Sequence, residues 1–353
     1  MLNIPKNILD DIIDKIRMPE GTVVFRAHMP DLFDPKKYGV IFQATSGAHA
    51  FILEKNKDSK LNFYHSSPGV GTRVATIELN ELNAKANIFC AFSWSNENIK
   101  LSFGVDSILN HAVGKLSEKQ ILVGKNGEII VIDTNTNVKD LRIYDEEGNS
   151  ILEPSAIIAW ENNIDSINML KTLDFKQSFM HETIFSNIII STLVTGFEAY
   201  CKKRFLELEK EGIPVNENNL INLVFTKHEK SKRIPAKYSK EAKETGISLL
   251  EKIVLERKIN FQNFDDCKKA YNKTYNLVFG TMDPEKCNIS ELRKFFEYRH
   301  RIIHISLAIN PLKIPKKGEV PIFSNKILVD NAIIIFDSFI KELHSHTLKL
   351  KRS

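Results

Sequence analysis

The spacing of apolar residues changes once along this chain of 353 residues, and the change limits the folds open to it. From residue 20 to about 145, apolar and polar residues alternate in short runs, which is typical of strands that bury one face. Beyond about residue 165, apolar residues recur every three or four positions, as they do in amphipathic helices. The sequence therefore predicts an all-β part followed by an all-α part.

The first part is expected to form an antiparallel sandwich of nine or ten strands, because turn residues such as Pro68-Gly69 and Asn126-Gly127 separate the alternating runs. The expected strands cover residues 22–27, 39–44, 49–54, 61–65, 72–79, 87–93, 98–105, 129–132 and 141–144. We predict domains at 1–150 and 169–353 with a linker at 151–168, where Pro154 and Trp160 interrupt the strand pattern.

The second part is expected to be a bundle of four or five helices, each with one apolar face. Within it, residues 226–245 hold about seven Lys or Arg and almost no large apolar residue. Such a run predicts an exposed, partly ordered loop. Its functional alternative is contact with the backbone of RNA through Lys230, Lys232, Arg233 and Lys237.

Charge is unevenly distributed. The net charge is +5, but from residue 165 onward 32 Lys and Arg stand against 23 Asp and Glu, giving +9 and leaving −4 for the first part. A basic second half would attract a polyanion, although a solvated lysine-rich surface has the same composition. The four cysteines include no Cys-x-x-Cys pair, which predicts reduced thiols and no zinc site. No leader or membrane span is expected, and the predicted location is the cytoplasm.

One short segment, residues 295–304, combines guanidinium and imidazole groups on a predicted amphipathic helix. Arg299 and Arg301 offer planar forks of donors that suit phosphate oxygens. His300 and His304 carry side chains whose ordinary pKa, about 6.5, permits proton transfer near neutral pH. On a helix, residues five apart are rotated by about 140°, so Arg299 and His304 do not share a face within one copy.

The pattern Arg299-x4-His304, with the polar His300 after the arginine, resembles the signature of the HEPN superfamily of ribonucleases and helical nucleotide-binding domains. Two further stretches, residues 195–200 and 259–264, are similar to the first and middle helices of HEPN proteins from defence and toxin systems. The resemblance covers residues 170–345 and implies a metal-independent endoribonuclease without a cofactor, acting on tRNA or mRNA as a homodimer through the motif helix.

In that resemblance, the RNA 2′-hydroxyl attacks the adjacent phosphate and leaves a 2′,3′-cyclic phosphate and a 5′-hydroxyl. His304 would act as base or acid, Arg299 would hold the oxyanion, His300 would orient the phosphate or share proton transfer, and Glu198 would hold Arg299. Arg301 is expected to contact RNA. The family also implies a role in antiphage defence, abortive infection or a toxin system.

The first part resembles laminin-G and concanavalin-like sandwiches in strand order and in the hairpin-like residues 92–101. This implies a recognition domain for a glycan or a protein, such as a phage protein, that would act as the sensor. Two alternatives stay open for the whole chain. One is a non-catalytic HEPN scaffold with a ligand-binding sandwich. The other, a carboxylate-bridged metal site on Glu297, His300 and His304, lacks the second Glu-x-x-His that such sites need.

Overall fold

The computed structural model describes residues 18–28, 30–46, 48–79, 87–105, 108–117, 129–131, 137–138, 141–145, 147–172, 178–256, 258–285, 287–304, 311–313, 318 and 320–351. The chain divides into two compact units, Met1–Pro154 and Ser155–Ser353. The first consists of antiparallel strands and the second of helices.

Two antiparallel sheets make up the described part of the first unit. Its strands are β1 (Gly21–His28), β2 (Gly39–Ser46), β3 (His49–Lys55), β4 (Lys60–Ser67), β5 (Gly71–Glu78), β6 (Asn87–Trp94), β7 (Ile99–Val105), β8 (Ile108–Val113), β9 (Lys115–Leu116), β10 (Ile129–Val131), β11 (Asn137–Val138), β12 (Arg142–Tyr144) and β13 (Ser150–Leu152). One sheet has the order β13-β12-β1-β6-β7-β8, with β11 also paired to β1, and the other has the order β10-β2-β3-β4-β5-β9.

Aromatic side chains from the two sheets form the core of the sandwich. Phe63 on β4 meets Phe92 on β6 with ring centroids 4.5 Å apart, and Phe51 on β3 meets Trp94 on β6 at 4.4 Å. All four rings are buried. They alternate along their strands with residues on the opposite face, as the period of two requires. Burial of such rings is a large part of what holds two sheets together.

The alternation correctly predicted the nine expected strands. The hairpin at residues 92–101 is present, with the Ser95 hydroxyl accepting from the amide of Asn98 at 3.2 Å. Gly69, in the predicted Pro68-Gly69 turn, has φ +78°, which favours glycine. Strands β8, β9, β11 and β13 were not predicted; several are only two or three residues long. The Asn126-Gly127 turn lies outside the described residues.

A histidine and an arginine are buried inside this apolar core. An Arg73 Nη2–H lies 3.1 Å from His65 Nδ1 and also donates to the carbonyl of Ser95 at 2.7 Å. This guanidinium ties β5 to the turn between β6 and β7. Burial, aided by the positive charge of Arg73 and by His49, lowers the pKa of His65 to about 3, so the ring is neutral and its Nδ1 can accept a hydrogen bond from Arg73.

The lowered pKa of His65 makes the sandwich sensitive to acid. In the unfolded state His65 has an ordinary pKa near 6.5 and becomes protonated below that pH. In the folded state it stays neutral until the pH falls to about 3. The contribution of His65 to stability is therefore full above about pH 6.5 and is lost as pH falls towards 3, at about 1.4 kcal/mol per pH unit. Urea unfolding followed by Trp94 fluorescence, in a Trp160→Phe background at pH 7 and pH 5, measures the loss. His65→Gln, which keeps an acceptor for Arg73, should show a shallower pH dependence, and equal slopes would contradict the assignment.

Nine helices account for most of the described residues of the second unit. They are α1 (Ala156–Lys171), α2 (Phe179–Lys210), α3 (Glu217–Val224), α4 (Lys227–Ser231), α5 (Ile234–Glu244), α6 (Leu249–Leu255), α7 (Phe264–Tyr275), α8 (Ile289–His304) and α9 (Lys326–Leu348). Helix α2 is central and packs against α1, α8 and α9. Its Phe197 ring contacts Phe296 of α8 at 5.1 Å and Phe339 of α9 at 5.7 Å.

The helical part departs from the sequence-based expectations in two segments and in its number of helices, which is nine among the described residues and not four or five. Residues 151–168, predicted as a linker, contain the end of β13 and most of α1. The apolar stripe of α1, which includes Trp160 and Ile167, is buried in the same core as α2. Residues 226–245, predicted as a loop, form α4 and α5. A few apolar residues are enough to anchor α5 to the bundle, because Ile234 and Tyr238 are one helical turn apart and both pack against the core.

Helix α2 is long and apolar enough to cross a membrane by length and composition alone, and half of its most apolar window is buried in this unit. Core helices of soluble proteins pass the same test. The four cysteines form no disulfide and are buried: Cys90 in the sandwich, and Cys201, Cys267 and Cys287 in the helical unit. Burial raises the pKa of Cys90 and Cys201, which favours the neutral thiol.

Candidate functional site

Helix α8, which carries the Arg-His segment, is fixed to the bundle by one face. Leu292, Phe295, Tyr298 and Ile302 on that face are buried. Phe295 contacts the ring of Phe336 on α9 at 5.9 Å. The spacing of these four residues, three or four apart, places the remaining positions of α8 towards its other sides.

His300 and His304 lie next to each other on the exposed side of α8. They are one helical turn apart, and their ring centroids are separated by 4.4 Å with an angle of 47° between the planes. Both residues are exposed, so a ligand in solvent can reach the rings. His304 is the last residue of α8 as described. The structure thus brings together the two imidazoles that the sequence singled out.

Arg299 occupies a different side of α8 and is half-buried. Its Nε is buried and has no hydrogen-bond partner among the residues described. A buried donor without a partner is unfavourable, by about 1–3 kcal/mol, unless a ligand or water supplies the acceptor. The separation of Arg299 from the exposed His304 agrees with the 140° rotation expected from the sequence.

Glu198 is half-buried on α2, one residue after Phe197, which packs against α8. Within the described parts of the chain, no ion pair or hydrogen bond joins Glu198 to Arg299. Arg301 is half-buried on α8 and likewise forms no ion pair there. The predicted holding contact between Glu198 and Arg299 is therefore absent from this structure.

Ile303 is exposed although the residue before it in α8 is buried. Ile302 is 1% exposed but Ile303 is 47% exposed, because consecutive helical residues are rotated by about 100°.

A groove of about 530 Å³ lies between α1 and α2, and Ile303 of α8 contributes to its wall. The lining is mainly apolar or small; from α2 it includes Ile188, Thr195 and Ala199. Asn163 Nδ2 and Ser191 Oγ, from residues that also line the groove, are buried without hydrogen-bond partners in the part of the chain that the structure describes. An apolar surface with a few unpaired polar groups is typical of a binding groove. Sequence reasoning did not find it, because its residues come from three helices.

Gly196 sets the closeness of α1 and α2 beneath this groove. A Cβ at Gly196 would lie 2.2 Å from Asn163 Nδ2 and 3.2 Å from Trp160 Cζ3. Any larger residue would require the Asn163 side chain to rotate away and the Trp160 ring to shift by a few tenths of an ångström. The sequence had drawn attention to residues 195–200 as a family-like stretch, and here the glycine within it has a packing role.

The four basic residues predicted to contact RNA in and between α4 and α5 fall into two groups. Lys237 forms an ion pair with Glu241 at 3.6 Å, and Lys230 donates to Asn222 Oδ1 at 2.9 Å. Lys232 and Arg233 are exposed, and neither forms an ion pair with any residue that the structure describes. Lys232 and Arg233 lie at the corner between the helices, where they can meet a polyanion.

The corner itself is held in a strained conformation. Arg233 has φ +56°, a left-handed conformation that costs a residue with a Cβ roughly 1–2 kcal/mol. Contacts on both sides of the corner hold it in place: the Tyr238 ring meets Phe225 at 5.1 Å, and Lys258 pairs with Glu229 at 3.6 Å. Burial and the hydrogen bond to Glu256 raise the pKa of Tyr238 to about 12, so its hydroxyl stays protonated.

Comparisons with known proteins add little. No family model matches the chain, and no curated protein matches it. Among solved structures, domains LG4-5 of the mouse laminin α1 chain are similar to it at 15% identity, over 38% of this chain and 38% of that one, with a TM-score of 0.27. This is a weak structural resemblance to a laminin G β-sandwich, and it carries no argument about function.

Gly196→Ala should destabilise the helical unit by about 1 kcal/mol, because the crowding of Asn163 and Trp160 outweighs the better helix propensity of alanine. Gly280→Ala is the matched control: its Cβ would meet nothing within 4 Å. Urea unfolding followed by Trp160 fluorescence in a Trp94→Phe background measures both. Equal free energies of unfolding for the two variants would show that Asn163 and Trp160 of α1 make room for the methyl group at no net cost.

Proposed function

We propose that the protein is a metal-independent endoribonuclease whose reaction takes place at His300, His304 and Arg299. The observation that supports this most is the exposed His300–His304 pair, 4.4 Å between ring centroids, on the same helix as a half-buried arginine with an unpaired Nε. Two imidazoles and a guanidinium are sufficient for RNA cleavage, because the RNA itself supplies the nucleophile. The Arg-x4-His resemblance to HEPN ribonucleases points the same way.

In the proposed reaction, one imidazole takes the proton of the 2′-hydroxyl as its oxygen attacks the adjacent phosphorus. The P–O5′ bond breaks, and a protonated imidazole gives its proton to the departing 5′-oxygen. The guanidinium of Arg299 neutralises the additional negative charge on the phosphoryl oxygens. The products are a 2′,3′-cyclic phosphate and a 5′-hydroxyl, and DNA is not a substrate.

A homodimer through α8 is part of the proposal. His304 and Arg299 lie on different sides of the helix, so one copy does not direct both at one phosphate. A two-fold axis beside α8 would place the arginine of one copy near the histidines of the other. The exposed Ile303, between Arg299 and His304 in sequence, would supply apolar contact area in such an interface. The proposed contact of Glu198 with Arg299 would form in that dimer, since the two side chains are not in contact within one copy.

RNA would also bind the α4–α5 corner through its backbone phosphates. Lys232 and Arg233 are the strongest candidates, because they are exposed and free of ion pairs within the described residues. Lys230, Lys237 and Arg301 would contribute less: the first two already have protein partners, and Arg301 is half-buried. Each phosphate contact adds about one unit to the salt dependence of binding.

The sandwich is proposed as the sensor that restrains or releases the nuclease, with a glycan or a phage protein as its ligand. This would suit a cytoplasmic effector of abortive infection or a toxin system. The alternative, a non-catalytic scaffold whose sandwich binds the ligand, has the same architecture. Activity of the purified protein separates the two.

Cleavage of mixed tRNA and mRNA in EDTA tests the reaction. Wild-type protein should produce cyclic-phosphate ends, and His304→Ala and Arg299→Ala should each lower the rate at least 100-fold, as loss of acid–base or oxyanion groups does. His346→Gln, which removes a histidine paired with Glu342 on α9, is the control and should cleave normally. No cleavage by folded wild-type protein, alone or with extract of infected cells, would favour the scaffold.

RNA binding tests the basic corner separately. Lys232→Ala with Arg233→Gly should weaken binding of RNA and reduce the slope of log K against log salt by about two, with kcat unchanged. Glycine at 233 keeps the left-handed backbone and so removes only the charge. The matched control, Lys240→Ala, removes a lysine already paired with Glu244 at 3.7 Å. An unchanged slope for the double variant would exclude this corner from the RNA interface.

A further inference from the structure

His300 and His304 have the geometry of a chelating pair. Their rings are on one exposed side of α8, one helical turn apart, with centroids 4.4 Å from each other. A metal ion binds imidazole nitrogen at 2.0–2.1 Å, which places two imidazoles on the same ion with centroids roughly 4.5–5.2 Å apart. The observed separation is within a few tenths of an ångström of this range, so small side-chain rotations would suffice.

We propose that this pair binds one divalent cation of the Cu²⁺ or Zn²⁺ class, and that the ion switches the site off. Imidazole suits these ions, whereas Mg²⁺ and Ca²⁺ require oxygen ligands. No group of three or more His, Cys, Asp and Glu side chains close enough to hold a metal occurs in the part of the chain that the structure describes. The cation would therefore have two protein ligands and complete its coordination with water, so it would exchange readily.

Neighbouring positive charges weaken the site for every divalent cation, so the preference of each ion for nitrogen ligands decides which ions bind. Arg299 and Arg301 flank the pair in sequence and oppose any cation, while Glu297, three residues before His300, favours one. With this opposition, the ion with the strongest preference for nitrogen ligands should bind best. The expected order of affinity is Cu²⁺ first, then Zn²⁺, with no detectable binding of Mg²⁺.

The inhibitory effect rests on the proposed ribonuclease function. A ring nitrogen that holds a metal has no lone pair with which to accept a proton, and it carries none to donate. Occupation of His300 and His304 together would remove the base and the acid at once. The ion would act as a reversible inhibitor of the site and take no part in the reaction.

Binding is tested without RNA, using CuCl₂ or ZnCl₂ alone on the full chain. Titration calorimetry should show one site that is lost in His300→Asn and in His304→Asn and kept in His346→Gln. The nitrogen hyperfine pattern of bound Cu²⁺ should report two imidazoles in wild-type protein. Circular dichroism confirms that each variant is folded. The same stoichiometry and affinity in all four proteins would overturn the site.

Inhibition is tested on wild-type protein only, because both histidines belong to the proposed catalytic machinery. Zn²⁺ should suppress cleavage at the concentration that fills the site, and EDTA should restore it fully. Binding without suppression would overturn the inhibitory role. Absence of cleavage in EDTA would instead overturn the ribonuclease proposal, and the calorimetric result for the metal site would stand independently.

Discussion

The helical unit depends on one buried cation. Arg204 on α2 is 2% exposed and donates to Glu207, to both carboxylate oxygens of Glu211 and to Thr347 near the end of α9. Glu207 in turn accepts from the amide of Ala156 at 2.7 Å and so caps the start of α1. Burial alone would lower the pKa of Arg204, but its hydrogen bonds to the two glutamates outweigh burial and raise it. Loss of both glutamates would leave the buried charge of Arg204 without a counter-ion, which costs about 3–5 kcal/mol. By capping α1, this cluster fixes where α1 begins and so helps to position the side of the groove that α1 lines.

Strand and helix patterns in the sequence were enough to locate most of the fold. Alternation works well in β6, where the buried residues Ile88, Cys90, Phe92 and Trp94 alternate with more exposed ones and two long neighbouring strands fix the register. It fails for β11 and β13, which are too short to show a period. Residues 226–245 were wrongly predicted to be a loop for another reason. Their two helices need only a narrow apolar stripe to pack against the core, so their composition resembles that of a loop.

The candidate site was predictable as a list of residues but not as an arrangement. Spacing alone gave the neighbouring rings of His300 and His304 and the separate position of Arg299. It could not give the exposure of Ile303 or the lack of contact between Glu198 and Arg299, since both depend on how α8 sits against α2. The unpaired Nε of Arg299 and the role of Gly196 as a spacer for α1 also follow only from tertiary packing.

Alkylation of the four buried thiols can report local opening of the folded chain. In the folded state none is accessible to an alkylating reagent, and burial keeps Cys90 and Cys201 in the unreactive thiol form. A thiol becomes reactive only when the surrounding structure opens. Because Cys90 is in the sandwich and Cys201, Cys267 and Cys287 are in the helical unit, the order in which they are alkylated would reveal which unit opens first.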